Sequence, residues 1–121
     1  MNSGEVKKDI LAFVYAERLK AALLTTGQLL DVLAGLSDME RQGALTMFSS
    51  FAKTVGADMR LAARVLEAHE WRGLDVQFHL VEGFARLGKM EAAREELSRT
   101  LSQITTLSGR AMTSLKDAGL I

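Results

Sequence analysis

The sequence has no cysteine and no proline among its 121 residues. Without cysteine, neither a disulfide framework nor a thiolate metal site can form. Proline breaks helices because it lacks a backbone donor and its ring clashes with the preceding turn, so its absence favours long, uninterrupted helices. A chain of this length can bury a core without covalent staples, and we expect residues 1–121 to form one domain.

The chain also lacks an excess of charge of either sign, since 15 basic side chains balance 15 acidic ones. The balance is local as well: residues 1–37 carry four of each sign, residues 38–73 five and residues 74–121 six. A protein that binds nucleic acid or an anionic membrane through phosphates needs a one-sided positive field. We therefore expect neither a nucleic-acid partner nor a membrane partner.

Long hydrophobic runs are missing too. Glu17, Arg18 and Lys20 interrupt the most apolar part of the first predicted helix, and no run approaches the roughly 20 residues of a membrane span. The segment Met1 to Asp9 has no apolar core of the kind found in secretory signals. These features predict a cytoplasmic location.

What the sequence does contain is a long apolar stripe between Ser37 and Gly73. Its members are separated by alternating steps of four and three residues, the spacing that keeps one face of a helix against a neighbour: Phe48, Ala52, Val55, Met59, Ala62, Leu66 and His69. Ser37 and Glu40 fit a capping box that starts a helix, and Gly73 fits a helix end. We predict one long central helix over about 38–72 and leave open a break at Gly56.

Three further segments show helical spacing. Residues 4–24 form the first, and the sequence does not decide whether 27–34 is a separate short helix or a continuation to residue 35. A third helix is predicted over 75–87, closed by Gly88, and a last one over about 89–116. No strand-like alternation is present, so the predicted fold is an all-α, up-down bundle of three to five helices.

The first helix is apolar over more than half of its circumference, because Leu11 and Tyr15 widen its stripe. A helix of this kind is usually buried on two sides. Together with the long central helix, this predicts a homodimer with a shared core, and a partner protein of another kind is the other possibility.

Three windows have no charged residue: 21–30, 42–52 and 100–109. The middle window combines Met and Phe with small residues, a composition found both in close helix contacts and in the cores of protein interfaces. The sequence therefore leaves open an internal helix contact or an interaction surface. The residues predicted for such a surface are Leu45, Met47, Phe48, Phe51, Val55 and Met59.

A second interpretation is a small-molecule-binding regulatory bundle. It requires an apolar pocket between helices, and the large side chains available to line it are Met59, Trp71 and Phe84, with Met47 as a further candidate.

The segment 80–101 resembles part of one tetratricopeptide hairpin. Its apolar, aromatic, glycine and alanine positions are matched by Leu80, Phe84, Gly88, Ala93 and Leu97, whereas the pattern is not met at Gln77, Val81 and Thr100. Repeats of this family need about three copies to bury a core, and the sequence has one. The resemblance implies a helix hairpin with Gly88 at the break.

Residues suited to catalysis or metal binding are few. His69 and His79 are the only histidines, and neither follows a Glu at the spacing of bundle di-metal sites. His79 and Glu82 fit a surface pair, and His69, in the central stripe, is expected to be buried or near a helix end. We expect no cofactor, no metal and no enzymatic activity. The predicted function is protein association, as a self-associating adaptor, scaffold or small chaperone.

Overall fold

A computed structural model describes residues 3–121 and arranges them as four α-helices. They are α1 (Ser3–Gly35), α2 (Asp38–Leu66), α3 (Leu74–Arg86) and α4 (Met90–Asp117), with a 3-10 turn at His69–Trp71 between α2 and α3. Residues 1 and 2, the start of the predicted domain, lie outside the described part. No strand occurs in residues 3–121, so the all-α prediction is confirmed.

The four helices pack as a closed ring in which α1 contacts α2 and α4, and α3 contacts the same two helices. Two contacts fix the direction of α4 against α1: Ser108 donates to Glu17 at 3.0 Å, and Arg94 pairs with Asp31 at 2.9 Å. Because the higher-numbered residue of α4 meets the lower-numbered residue of α1, the two helices are antiparallel. The α1–α4 pair has the most extensive contact and the α1–α2 pair the least.

α1 is one continuous helix, which answers the question that the sequence left open. The hydroxyls of Thr25 and Thr26 donate to the carbonyls of Ala21 and Ala22, one turn earlier, at 3.1 and 2.8 Å. These hydroxyls therefore bond within the running helix and do not cap a new one.

The link between α1 and α2 is short and held by side chains. The Ser37 hydroxyl accepts from the Glu40 backbone N–H at 3.3 Å, and the Ser37 N–H donates to the Glu40 carboxylate at 3.1 Å, which confirms the predicted capping box. The Ser37 hydroxyl also donates to the Glu40 carboxylate at 2.8 Å, and this bond, together with the one from the Ser37 N–H, lowers the pKa of Glu40. Arg41 donates to the carbonyls of Leu33 and Leu36 at 2.9 and 3.0 Å. It thus gives the Leu36 carbonyl, just beyond α1, a partner, and it gives a second one to the Leu33 carbonyl, which also accepts from the Leu36 N–H at 3.2 Å.

The end of α2 differs from the prediction. The helix stops at Leu66, not near residue 72, because Glu67 adopts a left-handed conformation with φ 49° and donates to the Ala63 carbonyl at 3.0 Å. The reversal that follows lets Trp71 bury its side chain against the core. Gly73, predicted to end α2, has φ 85° and begins α3 instead.

Three related expectations are settled in the same region. α2 does not break at Gly56, which lies buried inside it. His69 belongs to the 3-10 turn and is exposed, so it is not a member of the buried stripe. α1 has 33 residues and α2 has 29, so α2 is not the single long helix of the bundle.

The rest of the α2 stripe forms the core as predicted. Its buried members are Leu45, Phe48, Ala52, Val55, Met59, Ala62 and Leu66, and they belong to one cluster with residues of α1, α3 and α4. Gly88, with φ 76°, ends α3, while Lys89 N–H donates to the Phe84 carbonyl at 2.9 Å. The helix hairpin implied by the tetratricopeptide resemblance is thus present as α3 and α4.

Candidate interaction surface

The six residues predicted as an interaction surface fall into two groups. Four of them lie in the core of the same chain: Leu45, Phe48, Val55 and Met59. Phe51 is half-buried at the edge of the core, and Met47 is 78% exposed. Because the first four already contact this chain's own helices, only Met47 and Phe51 remain available to a partner.

Met47 and Phe51 belong to a second stripe on α2, beside the core stripe. It follows the same alternation of three and four residues: Ala44, Met47, Phe51, Thr54, Asp58, Leu61 and Val65. Leu61 and Val65 are exposed, although both are large and apolar. The spacing of this second stripe is present in the sequence, but the neighbouring stripe is more strongly apolar and therefore dominates the pattern.

α1 supplies the other side of the same surface. A groove of about 270 Å³ separates the two helices at one end, and it is lined by Leu29, Val32, Leu33, Ala44, Met47, Phe48 and Phe51. A second depression further along is lined by Tyr15, Arg18, Leu19, Ala21, Asp58 and Leu61. The uncharged windows 21–30 and 42–52 therefore meet here. On α1, Val14 and Val32 are 18 residues apart, five full turns, and so share one exposed face.

We call this surface the α1–α2 strip and define it by its partly or largely exposed apolar residues: Val14, Leu29, Val32, Met47, Phe51, Leu61 and Val65. α1 and α2 have the least extensive contact of the four neighbouring helix pairs. Apolar side chains that gather on one exposed face, and are not scattered singly over the surface, are typical of an interaction site.

The threonine hydroxyls along the strip need no hydrogen-bond partner from another protein. The Thr25 hydroxyl donates to the Ala21 carbonyl and the Thr54 hydroxyl to the Ser50 carbonyl, at 3.1 and 3.2 Å. Both hydroxyls are therefore satisfied within their own helices. Their burial in an interface leaves no donor unpaired.

Two charged side chains lie within the strip, and they have opposite signs. Arg18 of α1 and Asp58 of α2 line the same depression. Neither takes part in an ion pair within the described chain. The sequence does not reveal this pair, because nothing in the spacing shows that α1 and α2 bring the two residues to the same level.

The residues of the alternative small-molecule pocket do not gather around these grooves. Met59 and Trp71 are buried in the core, and Phe84 is half-buried at its edge. None of the three lines either depression between α1 and α2.

The pair His79 and Glu82 also differs from its expected setting. His79 is exposed, but Glu82 is only 3% exposed. Its carboxylate faces His79 Nδ1 at 3.6 Å and Arg86 Nε at 3.5 Å, and Arg86 also donates to the Ser49 hydroxyl at 3.3 Å. Residues 3–121 contain no group of three ligands placed to hold a metal ion.

Comparisons with protein-family models, with curated proteins and with solved structures find no match for this chain. Within the described residues, none of the helices has both the length and the apolar character needed to cross a bilayer. A helical-bundle fold by itself does not imply a function.

Proposed function

We propose that this chain is a cytoplasmic, non-enzymatic helical bundle that acts through protein association, as a self-associating adaptor, scaffold or small chaperone. Its contact surface is the α1–α2 strip, and its basic assembly is a homodimer. The observation that carries the proposal is the set of exposed apolar side chains that α1 and α2 present on one side of the bundle, together with the apolar groove between these helices.

The composition of the strip supports this role. Met47 and Phe51 are of the residue types enriched in interface cores, where charged residues are depleted. Met47 is also flexible enough to adapt its shape to a partner. Val32, 57% exposed, lies across the groove from them. Association removes these side chains from water, which stabilises the complex by about 25 cal/mol for each Å² of apolar surface buried.

The hydroxyl groups support the non-enzymatic part of the proposal. The hydroxyls of Thr26, Thr100 and Thr106 donate to the backbone carbonyl one turn earlier in their own helices, at 2.8, 3.0 and 3.0 Å. A nucleophilic hydroxyl needs an adjacent base, whereas these three hydroxyls are held by backbone carbonyls.

The test is the absolute mass in solution, measured by light scattering over a dilution series. We expect the wild type to be a dimer in the micromolar range and Met47→Glu to be a monomer. The matched control is Met112→Glu, which places the same charge at an exposed methionine of α4 and should leave the dimer intact. Circular dichroism establishes that both variants are folded.

Two results would contradict the proposal. A wild type that is monomeric at every concentration rules out self-association. A Met47→Glu variant that dimerises as well as the wild type rules out the α1–α2 strip as the contact surface.

A further inference from the structure

We infer that the α1–α2 strip is covered by a second copy of this chain, related by a two-fold axis parallel to the helices, so that Arg18 of each subunit pairs with Asp58 of the partner subunit. This inference rests on the proposed function, because it specifies the geometry of the dimer. It starts from the two opposite charges, Arg18 and Asp58, that line one depression of the strip.

Burying the strip has a cost at these two positions. A charge removed from water without a partner of opposite sign loses its solvation with nothing to replace it. Arg18 and Asp58 form no ion pair with each other in the described chain. A protein that covers the strip in this conformation must therefore place an acid against Arg18 and a base against Asp58. A second copy meets both requirements at once, because in a two-fold interface residue i contacts j and residue j contacts i.

The level of each residue along the bundle selects the direction of the axis. Arg18 and Asp58 line one depression, so they lie at the same height. A two-fold axis parallel to the helices preserves height and lays α1 of one subunit over α2 of the other. It therefore brings Arg18 against Asp58 twice.

The apolar residues fit the same axis. Leu29 and Val32 lie level with Met47 and Phe51 in the groove at the other end of the strip. In a dimer with the axis that pairs the charges, Leu29 and Val32 also pack on the methionine and phenylalanine at positions 47 and 51 of the second copy. An axis perpendicular to the helices would instead lay α1 on α1 and leave both charges without an opposite partner.

The size of the strip agrees with a dimer that exchanges subunits. From Met47 to Val65, and from Val14 to Val32, each helix contributes about 27 Å at 1.5 Å per residue. Two adjacent helices are about 20 Å wide, so a flat projection covers roughly 550 Å² per subunit. The total, about 1,100 Å², is close to the lower limit for specific interfaces, about 1,200 Å².

The inference is tested with two charge reversals, Arg18→Glu and Asp58→Arg, first separately and then mixed. In the Arg18→Glu homodimer both contacts oppose two carboxylates, and in the Asp58→Arg homodimer both oppose two guanidinium groups. We expect each variant to dimerise at least about tenfold more weakly than the wild type. Arg110→Glu, an exposed reversal on α4, is the control and should dimerise like the wild type.

Mixing the two variants in equal amounts should restore the dimer, because each of the two contacts in the mixed dimer then joins a carboxylate to a guanidinium group. This outcome separates pairing between subunits from pairing of Arg18 with Asp58 inside one chain, which mixing cannot repair. Sedimentation analysis gives the dissociation constants, and circular dichroism establishes that each variant is folded.

The possible failures are distinguishable. A monomeric wild type overturns the proposed function and this inference with it. A dimeric wild type whose single variants dimerise normally, or whose mixture stays monomeric, overturns the inference alone and leaves self-association in place.

Discussion

Met47 and Phe48 are neighbours in α2 but face different surroundings, and this contrast yields the most direct test of the structure. Met47 is 78% exposed, whereas Phe48 is 3% exposed and belongs to the core cluster. The perturbation is truncation of each residue in turn, Met47→Ala and Phe48→Ala. Both changes leave α2 with a good helix former, so the comparison reports on packing.

The expected magnitudes differ severalfold. Truncating a buried phenylalanine removes its transfer free energy and leaves a cavity, which together cost about 3–5 kcal/mol. Domains of this kind are stable by about 5–15 kcal/mol in total, so Phe48→Ala should lose a large part of the free energy of unfolding. Met47→Ala should change that quantity in the monomer by about 0.5 kcal/mol or less.

Urea unfolding followed by the fluorescence of Trp71 is the assay, because this single tryptophan is buried in the core. The measurement is made at a concentration where light scattering shows a monomer, since dimerisation stabilises the native state by mass action. Equal losses for the two variants, or a loss below about 1 kcal/mol for Phe48→Ala, would refute the orientation of α2 described above.

Three further predictions concern helix ends and one carboxylate. Ser37→Ala removes the cap of α2 and should lower the free energy of unfolding by about 1 kcal/mol; an unchanged thermal midpoint would contradict the capping role. Glu67→Gly should raise that free energy by about 1 kcal/mol, since glycine adopts the left-handed φ of 49° without steric cost; Glu67→Ala is the control and should give no gain. Hydrogen bonds from Lys20 and Ser108 lower the pKa of Glu17. A lowered carboxylate pKa stabilises the fold above the unfolded-state pKa, and this contribution disappears as the pH falls through the folded-state value. NMR titration should therefore show a higher pKa for Glu17 in Ser108→Ala than in the wild type, and equal values would argue against the contact.

Much of the helical architecture is predictable from local pattern. The stripe from Leu45 to Leu66 is buried as its spacing predicts, and the capping box at Ser37 starts α2 where expected. The end of α2 is not predictable in this way, because Glu67 adopts a conformation that non-glycine residues rarely take. Burial of Trp71 offsets the free-energy cost of this conformation, and that burial depends on tertiary packing.

The candidate site was predicted only in part, for a related reason. Spacing identifies which residues of one helix share a face, but it does not say which neighbouring helix leaves that face uncovered. Met47 and Phe51 were predicted as surface residues because they lie in the uncharged window 42–52. The same window also contains residues that are buried in the core, and the sequence does not separate the two groups. Arg18 and Asp58 were missed because their proximity depends on how α1 and α2 pair in space.

The contact between Glu17 and Ser108 has a consequence for how the chain reaches its native state. These residues are 91 positions apart in sequence, and they belong to the most extensive helix pair of the bundle. Contacts that join distant segments slow folding, because a long loop must close before they form. The core face of α1 therefore stays open until the last helix arrives. We expect this protein to fold more slowly than bundles built from local hairpins, and its partly folded chains to be prone to aggregation through α1.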